Sequence, residues 1–234
     1  MNGTVGIGII LLAYIIGSIP FGLVVVKLTT GKDIRSVESG RTGGTNVMRA
    51  AGAWAGLVTG ILDVLKGASA VWLARWLVPG NHIWCEILAP VAAILGHNYS
   101  IFLAEKNEKG KLRLRGGAGG AACLGGAIGL WWPSAFIILP LGIAVWYFVG
   151  YASLTTLSFA LTTMVIFAVR AWRIGPPEAP WEYVLYGLFS LLMLAWALRP
   201  NIRRLLQGNE RLVGLRARLK ARKEGQSTSS SSSQ

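Results

Sequence analysis

Charged residues are scarce in this chain, and acidic residues are the scarcest of them. Charged side chains make up 14% of the sequence, whereas soluble proteins average about 25%. The chain has 10 Asp and Glu against 23 Lys and Arg, and 53% of its residues are hydrophobic. Because so little polar surface is available, the composition excludes an ordinary soluble domain and indicates a membrane protein.

Cysteine and histidine are also rare, with two of each in 234 residues. Cys85 and Cys123 lie in or beside apolar runs, which argues against a disulfide framework and against a cysteine-based metal site. No cluster of carboxylates or histidines has metal-ligand spacing, so we expect no metal ion and no cofactor. The formal net charge is +13, but the basic residues stand at the ends of apolar runs, which argues against nucleic acid as a partner.

Seven apolar runs divide the chain and predict an all-α, polytopic membrane protein with about seven transmembrane helices. The first run is too long and too weakly flanked for a cleaved signal peptide. The fourth is short for a span, which needs about 20 residues. We expect one integral membrane domain over residues 1–213. The runs are Val5–Leu28, Ala53–Val78, Ile83–Leu103, Ala121–Trp132, Pro133–Val149, Leu154–Val169 and Trp181–Leu198.

The basic residues predict the orientation of these helices. With the N-terminus outside, the inner loops 29–52 and 104–120 hold four and five basic residues and the tail after residue 198 holds nine, whereas the outer connections hold only Arg170 and Arg173. The positive-inside rule therefore places the C-terminus in the cytoplasm. Residues 214–234 are basic and then serine-rich, so we expect a disordered cytoplasmic tail. The overlapping stretch Arg211–Lys223 could form a basic amphipathic helix on anionic lipid.

A polar, glycine-rich loop follows the first run, from Ser39 to Arg49. Its glycines let the backbone turn several N–H groups toward one point. Its hydroxyl and amide side chains add short donors, and its two arginines add planar guanidinium groups suited to phosphate. The loop is a candidate anion site; the alternative is an ordinary juxtamembrane turn with positive-inside arginines.

Three further features carry charge or glycine at unusual places. Asp63 and Lys66 lie three residues apart in an apolar helix, where they can pair, and such charges usually face the bundle interior. Their role is either functional or that of a structural ion pair.

His97 precedes a basic loop whose Gly116–Gly120 segment opens the fourth run, where free N–H groups favour an anion. Pro20 breaks the first run, and the freed backbone groups need a partner in the protein or a watery cavity.

Several of these segments resemble one family in sequence and in order. The matching motifs are Ser18–Gly22, Ser39–Arg49, Asp63–Gly67, Gly96-His97, Gly116-Gly117, and Asn201–Leu206 with Gly208 and Glu210. Over about residues 6–213 the chain resembles the bacterial acyl-phosphate:glycerol-3-phosphate acyltransferases. The resemblance implies a seven-span enzyme of the bacterial plasma (inner) membrane with a cytoplasmic active site. It implies transfer of an acyl group from acyl phosphate to the 1-hydroxyl of glycerol 3-phosphate, which gives lysophosphatidic acid for phospholipid synthesis, without an acyl-enzyme and in a chain that can act as a monomer.

The resemblance also assigns roles by position. It implies Ser39, Arg49, His97 and Asn201 as catalytic residues. It implies substrate and phosphate binding by Gly40, Arg41, Gly43, Gly44, Thr45, Asn46, Lys66, Gly116, Gly117 and Gly119.

The chain departs from the family pattern at three positions. Ala118 stands where the glycine-rich phosphate loop has a lysine, Arg41 where the first loop has an asparagine, and Leu198 where a histidine precedes Asn201 by three residues. Either Arg41 replaces the missing charge, or the chain is a weakened or inactive relative that binds acyl phosphate or phospholipid. A small anion transporter is a third interpretation, against which stands the lack of an inverted repeat with paired broken helices.

Overall fold

The computed structural model describes residues 3–78, 80, 82–106 and 110–231. Within these ranges the chain forms eleven α-helices and one two-stranded hairpin. In chain order they are α1 (Gly3–Ser18), α2 (Phe21–Thr30), α3 (Gly44–Ala51), α4 (Ala53–Leu77), α5 (Ile83–Asn98), β1 (Ser100–Lys106), β2 (Leu112–Arg115), α6 (Gly120–Leu130), α7 (Ala135–Ala144), α8 (Ala152–Arg173), α9 (Glu182–Ala197), α10 (Arg199–Leu206) and α11 (Gly214–Ser231).

Helices occupy all seven apolar runs, but they differ in length. Across the described ranges, four segments are long and apolar enough to cross a membrane: Thr4–Thr30, Ala53–Leu77, Trp132–Val149 and Ala152–Arg173. A fifth is added if α9 and α10, which meet at a bend of 67°, count as one span. Helices α5 and α6 are apolar but shorter, so length and composition give four or five spans where the sequence predicts seven.

Large apolar side chains cover the outside of the helix bundle. Ile7, Leu28, Trp76 and Phe136 are 61%, 81%, 77% and 70% exposed. A water-soluble protein of this size does not present so much continuous apolar surface. The chain is therefore an integral membrane protein, in agreement with its composition.

Helices α4 and α6 pack against each other through glycine at the centre of the bundle. A Cβ atom at Gly67 of α4 would overlap the carbonyl oxygen of Ala122 in α6, and one at Gly125 of α6 would overlap that of Val64. Small residues that let two backbones approach are typical of helix packing in membranes. The close approach at Gly67 fixes the position of α6 beside the charged residues of α4.

The break at Pro20 has a partner in the protein. Lys66 donates a hydrogen bond of 3.1 Å to the carbonyl oxygen of Ile19 between α1 and α2. The same ammonium group lies 2.9 Å from Oδ1 of Asp63, and both side chains are buried. The predicted Asp63–Lys66 pair therefore exists, and it ties the broken first run to α4.

The all-α prediction missed one element. Residues 100–106 and 112–115 form an antiparallel hairpin in which Lys106 faces Leu112 and Glu105 faces Arg113. Helix α5 consequently ends at Asn98, five residues before the predicted end of the third run. Lys109, one of the five basic residues of this loop, lies outside the described residues.

The C-terminal segment also differs from the expectation of a disordered tail. Helix α11 covers Gly214–Ser231, so the stretch Arg211–Lys223, the possible basic helix, is helical from Gly214 onward, whereas Arg211 to Val213 precede the helix. Residues 232–234 of the serine-rich end lie outside the described residues.

Candidate active site

A cavity of about 650 Å³ brings most of the predicted site residues together. One end is polar and is formed by the glycine loop, α3, α10 and the start of α6, while the other is apolar and runs between α4, α6, α7 and α8. The predicted residues that line it are Ser39, Arg41, Gly43, Gly44, Thr45, Asn46, Arg49, His97, Gly119 and Asn201.

The side-chain amide of Asn46 shapes the glycine loop. Its Nδ2 donates to the carbonyl oxygens of Val37 at 3.0 Å and Arg41 at 2.9 Å. These bonds hold the loop against the start of α3, so that Gly43, Gly44 and Thr45 face the cavity. The first-turn N–H groups of a helix favour an anion there, as the glycine pattern predicts.

Arg41 joins the glycine loop to the end of α9. Its Nη2 donates a hydrogen bond of 2.6 Å to the carbonyl oxygen of Ala197, the last residue of α9. Burial lowers the pKa of the Arg41 guanidinium, and the nearby guanidinium of Arg204 lowers it further. Both arginines line the cavity, and their mutual repulsion makes this end of the cavity favourable for an anion.

A buried carboxylate orients the polar side chains of α10. Oε1 of Glu210 accepts a hydrogen bond of 2.7 Å from Asn201, and its Oε2 accepts one of 3.1 Å from Arg204. Among the described residues, Oδ1 of Asn201 is buried and has no hydrogen-bond partner. Because the amide nitrogen is held by Glu210, the carbonyl oxygen of the side chain remains as an acceptor at the cavity wall.

His97 is buried at the end of α5 and pairs with a carboxylate of α4. Its Nδ1 lies 3.5 Å from Oδ1 of Asp63, the same oxygen that Lys66 approaches. His97 and Asp63 both line the cavity. The carboxylate fixes the orientation of the imidazole ring.

The second glycine-rich loop places the N-terminus of α6 at the cavity. Gly119 has a φ angle of 86° and precedes the first residue of α6, and Ala118, Gly119 and Gly120 line the wall. The N-terminal turns of α3 and α6 therefore face one space. Ala118 leaves this turn without the lysine of the family pattern, and Arg41 lines the same cavity.

Four residues predicted to bind phosphate do not line the cavity: Gly40, Lys66, Gly116 and Gly117. Lys66 is occupied by Asp63 and Ile19, as described above. Gly117 donates its N–H to the carbonyl oxygen of His97 at 2.9 Å, and a Cβ atom there would overlap the His97 imidazole. Gly40, with a φ angle of 64°, turns the first loop. Their positions fit support of the site rather than contact with a substrate.

The apolar end of the cavity opens toward the outer surface of the bundle. Its wall includes Ile61 of α4 and Ile143 of α7, which are 51% and 63% exposed. Trp146 and Phe159 close the inner side. A side opening of this kind joins the polar groups to the lipid-facing surface.

The sequence interpretation did not include Glu210, Arg204 and Arg211 among the site residues, although all three line the cavity. Glu210 had a usable signal, since it is the only acidic residue between positions 183 and 223. Within the described ranges, no group of three or more His, Cys, Asp or Glu side chains comes together to hold a metal ion.

The sequence matches the family model for glycerol-3-phosphate acyltransferase over residues 7–208. The chain belongs to this family. Among curated members, the glycerol-3-phosphate acyltransferase of Gloeobacter violaceus is 36% identical, over 92% of this chain and 98% of the relative. That of Thermus thermophilus is 37% identical over 92% and 98%.

Two crystal structures of a family member have the same fold. They are of PlsY, an integral membrane glycerol 3-phosphate acyltransferase, in its glycerol 3-phosphate and lysophosphatidic acid forms. The TM-scores are 0.74 and 0.72, at 29% and 28% sequence identity, and each match covers 92% of this chain and 98% of the other. The resemblance inferred from the motifs is confirmed at the level of the family.

Proposed function

We propose that this chain transfers a fatty acyl group from acyl phosphate to the 1-hydroxyl of glycerol 3-phosphate. The observation that carries the proposal is the single cavity in which Ser39, Arg49, His97 and Asn201 meet at one end and an apolar arm begins at the other. Such a cavity suits two phosphate groups and one acyl chain at the same time. The names of the relatives and the two ligand forms of the solved family member support the acceptor and the product.

The reaction needs alignment and charge more than a dedicated nucleophile. The oxygen of the 1-hydroxyl forms an ester bond with the acyl carbonyl carbon, the bond between that carbon and the phosphate oxygen breaks, and the hydroxyl proton leaves with the released phosphate. Acyl phosphate is an activated mixed anhydride, so orientation and preorganised hydrogen-bond donors supply most of the required stabilisation.

The polar end provides groups for each part of this step. Arg49 and the hydroxyl of Ser39 contact the phosphate groups together with the N-terminal turns of α3 and α6. Oδ1 of Asn201, which has no hydrogen-bond partner among the residues that the structure describes, accepts the hydrogen bond of the acceptor hydroxyl and directs its oxygen at the carbonyl carbon. His97, held by Asp63, borders the reacting atoms from the side of α5.

Arg41 takes the place of the lysine that the family carries at position 118. Both positions line the cavity, and Arg41 is held by its hydrogen bond to Ala197. A guanidinium supplies a permanent charge and a planar set of donors for phosphate. This replacement supports an active enzyme over an inactive relative.

The apolar arm holds the acyl chain. Its opening between Ile61 and Ile143 lets the chain reach the bilayer while the phosphate groups remain at the polar end. We place the protein in the bacterial plasma membrane with seven membrane-crossing segments, the N-terminus outside and the active site in the cytoplasm. The basic residues of the loops and tail support this orientation.

Product formation tests the proposal directly. Purified protein in a nonionic detergent receives palmitoyl phosphate and labelled glycerol 3-phosphate, and labelled lysophosphatidic acid is measured. Palmitoyl-coenzyme A in place of palmitoyl phosphate tests the donor. We expect product with the acyl phosphate only; product with the thioester alone would overturn the assigned donor, and product with neither would overturn the activity.

A further inference from the structure

A second cavity of about 760 Å³ lies beside the first and is polar. Glu38 and Arg49 form its wall on the side of the glycine loop, and residues from Gly208 to Glu224 form the opposite wall. The two cavities share Arg49, Glu210 and Arg211. They are therefore two compartments separated by a few side chains.

The C-terminal wall of this second cavity is fixed to the membrane domain. Leu212 forms an antiparallel bridge with Tyr151, and Val213 donates its N–H to the carbonyl oxygen of Gly150 at 2.9 Å. Arg216 donates to the carbonyl oxygen of Val149 at 3.2 Å, and its guanidinium lies 5.1 Å from the ring centre of Tyr151. These contacts dock the start of α11 on the α7–α8 connection, beyond the last residue matched by the family model.

An ion pair stands where the two compartments meet. Arg211 and Glu38 approach to 2.7 Å, and each side chain is 47% exposed. Arg211 lines both cavities, whereas Glu38 lines the second one alone. A half-exposed pair of this kind contributes little to stability, so an incoming anion can compete with the carboxylate for Arg211.

The charge around the second cavity favours a small anion. Residues 208–224 carry six basic and two acidic side chains. The cavity itself is lined by four basic side chains, Arg49, Arg211, Arg216 and Lys220, and by three acidic ones, Glu38, Glu210 and Glu224. An excess of positive charge around a polar compartment raises the local concentration of anions. A phosphomonoester dianion is the substrate of the proposed reaction that matches this description.

We propose that the second cavity is the access vestibule for glycerol 3-phosphate, and that Arg211 exchanges the carboxylate of Glu38 for the substrate phosphate as the molecule passes toward Arg49. The vestibule rests on the proposed function, because it delivers the acceptor of that reaction. The acyl phosphate reaches the first cavity from the apolar side and does not pass Arg211. The two substrates thus approach the reacting centre from different directions.

Two single substitutions separate this role from a merely structural ion pair. Arg211→Gln removes the phosphate ligand, so the KM for glycerol 3-phosphate rises about tenfold. Glu38→Gln removes the competitor and releases Arg211, so that KM falls about two- to fivefold. The KM for palmitoyl phosphate stays within about twofold in both variants. A structural pair predicts shifts in the same direction, because either substitution breaks it, and that result would overturn the proposal.

Controls identify the source of the effect. Arg222→Gln removes a charge from α11, which follows Arg211, at a position that does not line the vestibule, and its KM for glycerol 3-phosphate stays within about twofold of wild type. Measurements in nonionic detergent and in vesicles containing phosphatidylglycerol give the same opposite shifts if the ligand is the soluble substrate. Shifts that occur only in anionic vesicles would assign the vestibule to a lipid headgroup and overturn the proposal. An inactive wild type would instead contradict the proposed function.

Discussion

The guanidinium of Arg41 donates a 2.6 Å hydrogen bond to the carbonyl oxygen of Ala197, which connects the first glycine loop to the C-terminal end of α9. Arg41 is therefore held in a fixed position at the cavity that Ala118 also lines. We propose that Arg41 supplies from the first loop the charge that the family resemblance assigns to the loop of Ala118.

Exchange of the charge between these two loops is the first prediction. Arg41→Gln removes a hydrogen-bond donor to phosphate and lowers kcat/KM about 10²-fold. Adding Ala118→Lys to that variant restores much of the lost kcat/KM. Ala118→Lys alone leaves activity unchanged or raises it. Arg35→Gln is the matched control, since Arg35 pairs with Asp33 and does not line the cavity. No rescue in the double variant would contradict the replacement of the lysine by Arg41.

Substitution of the catalytic loop residues is the second prediction. Arg49→Ala and Ser39→Ala each lower kcat by about 10²–10³-fold, the usual loss when one donor to a developing charge is removed. The melting temperature in detergent changes little, because both side chains are exposed in the free protein. Full activity in both variants would disprove the assignment of the polar end as the phosphate site.

The third prediction concerns Lys66, and it distinguishes a structural role of this side chain from direct contact with a substrate. Lys66→Met leaves Asp63 as a buried charge without its ammonium partner and removes the hydrogen bond from the ammonium group to the carbonyl of Ile19. Breaking a buried pair in this way costs about 3–5 kcal/mol, so the melting temperature falls together with the activity. A variant that keeps the wild-type melting temperature but loses activity would contradict this structural role and indicate that Lys66 contacts a substrate.

The fourth prediction concerns the effect of adding a methyl group at Gly117. Gly117→Ala would overlap the His97 imidazole, and displacing a site residue by about 1 Å can cost about 10²-fold in rate. We expect a loss of kcat of this order. Gly8→Ala is the control, since a Cβ atom there meets no atom within 4 Å. Equal activity of the two variants would show that the position of His97 is not critical.

The apolar runs predicted most of the helices but not how many helices are long enough to span. The second run was predicted as Ala53–Val78, and α4 covers Ala53–Leu77, because a long apolar segment in lipid can only be helical. The hairpin was missed although Lys111–Arg115 alternates basic residues with leucine, which is a strand pattern. The five basic residues of the loop 104–120 favour a loop more strongly than this short alternation favours a strand.

The site could be predicted from the sequence only where several of its residues lie close together in one motif. Ser39, Thr45 and Arg49 share one loop and one short helix, so their convergence followed from local sequence. The bond from Lys66 to the carbonyl of Ile19 and the contact of His97 with Asp63 depend on how separate helices pack, which spacing does not report. Spacing also does not report that the N–H of Gly117, a residue predicted to bind phosphate, donates to the carbonyl oxygen of His97.

Phosphate release by the purified protein tests the central claim most directly. The protein receives palmitoyl phosphate with and without glycerol 3-phosphate, and inorganic phosphate and lysophosphatidic acid are measured together. The account predicts release that depends on the acceptor, with one lysophosphatidic acid formed for each phosphate. Phosphate released at the same rate without the acceptor, or no release while acyl phosphate remains bound, would contradict it.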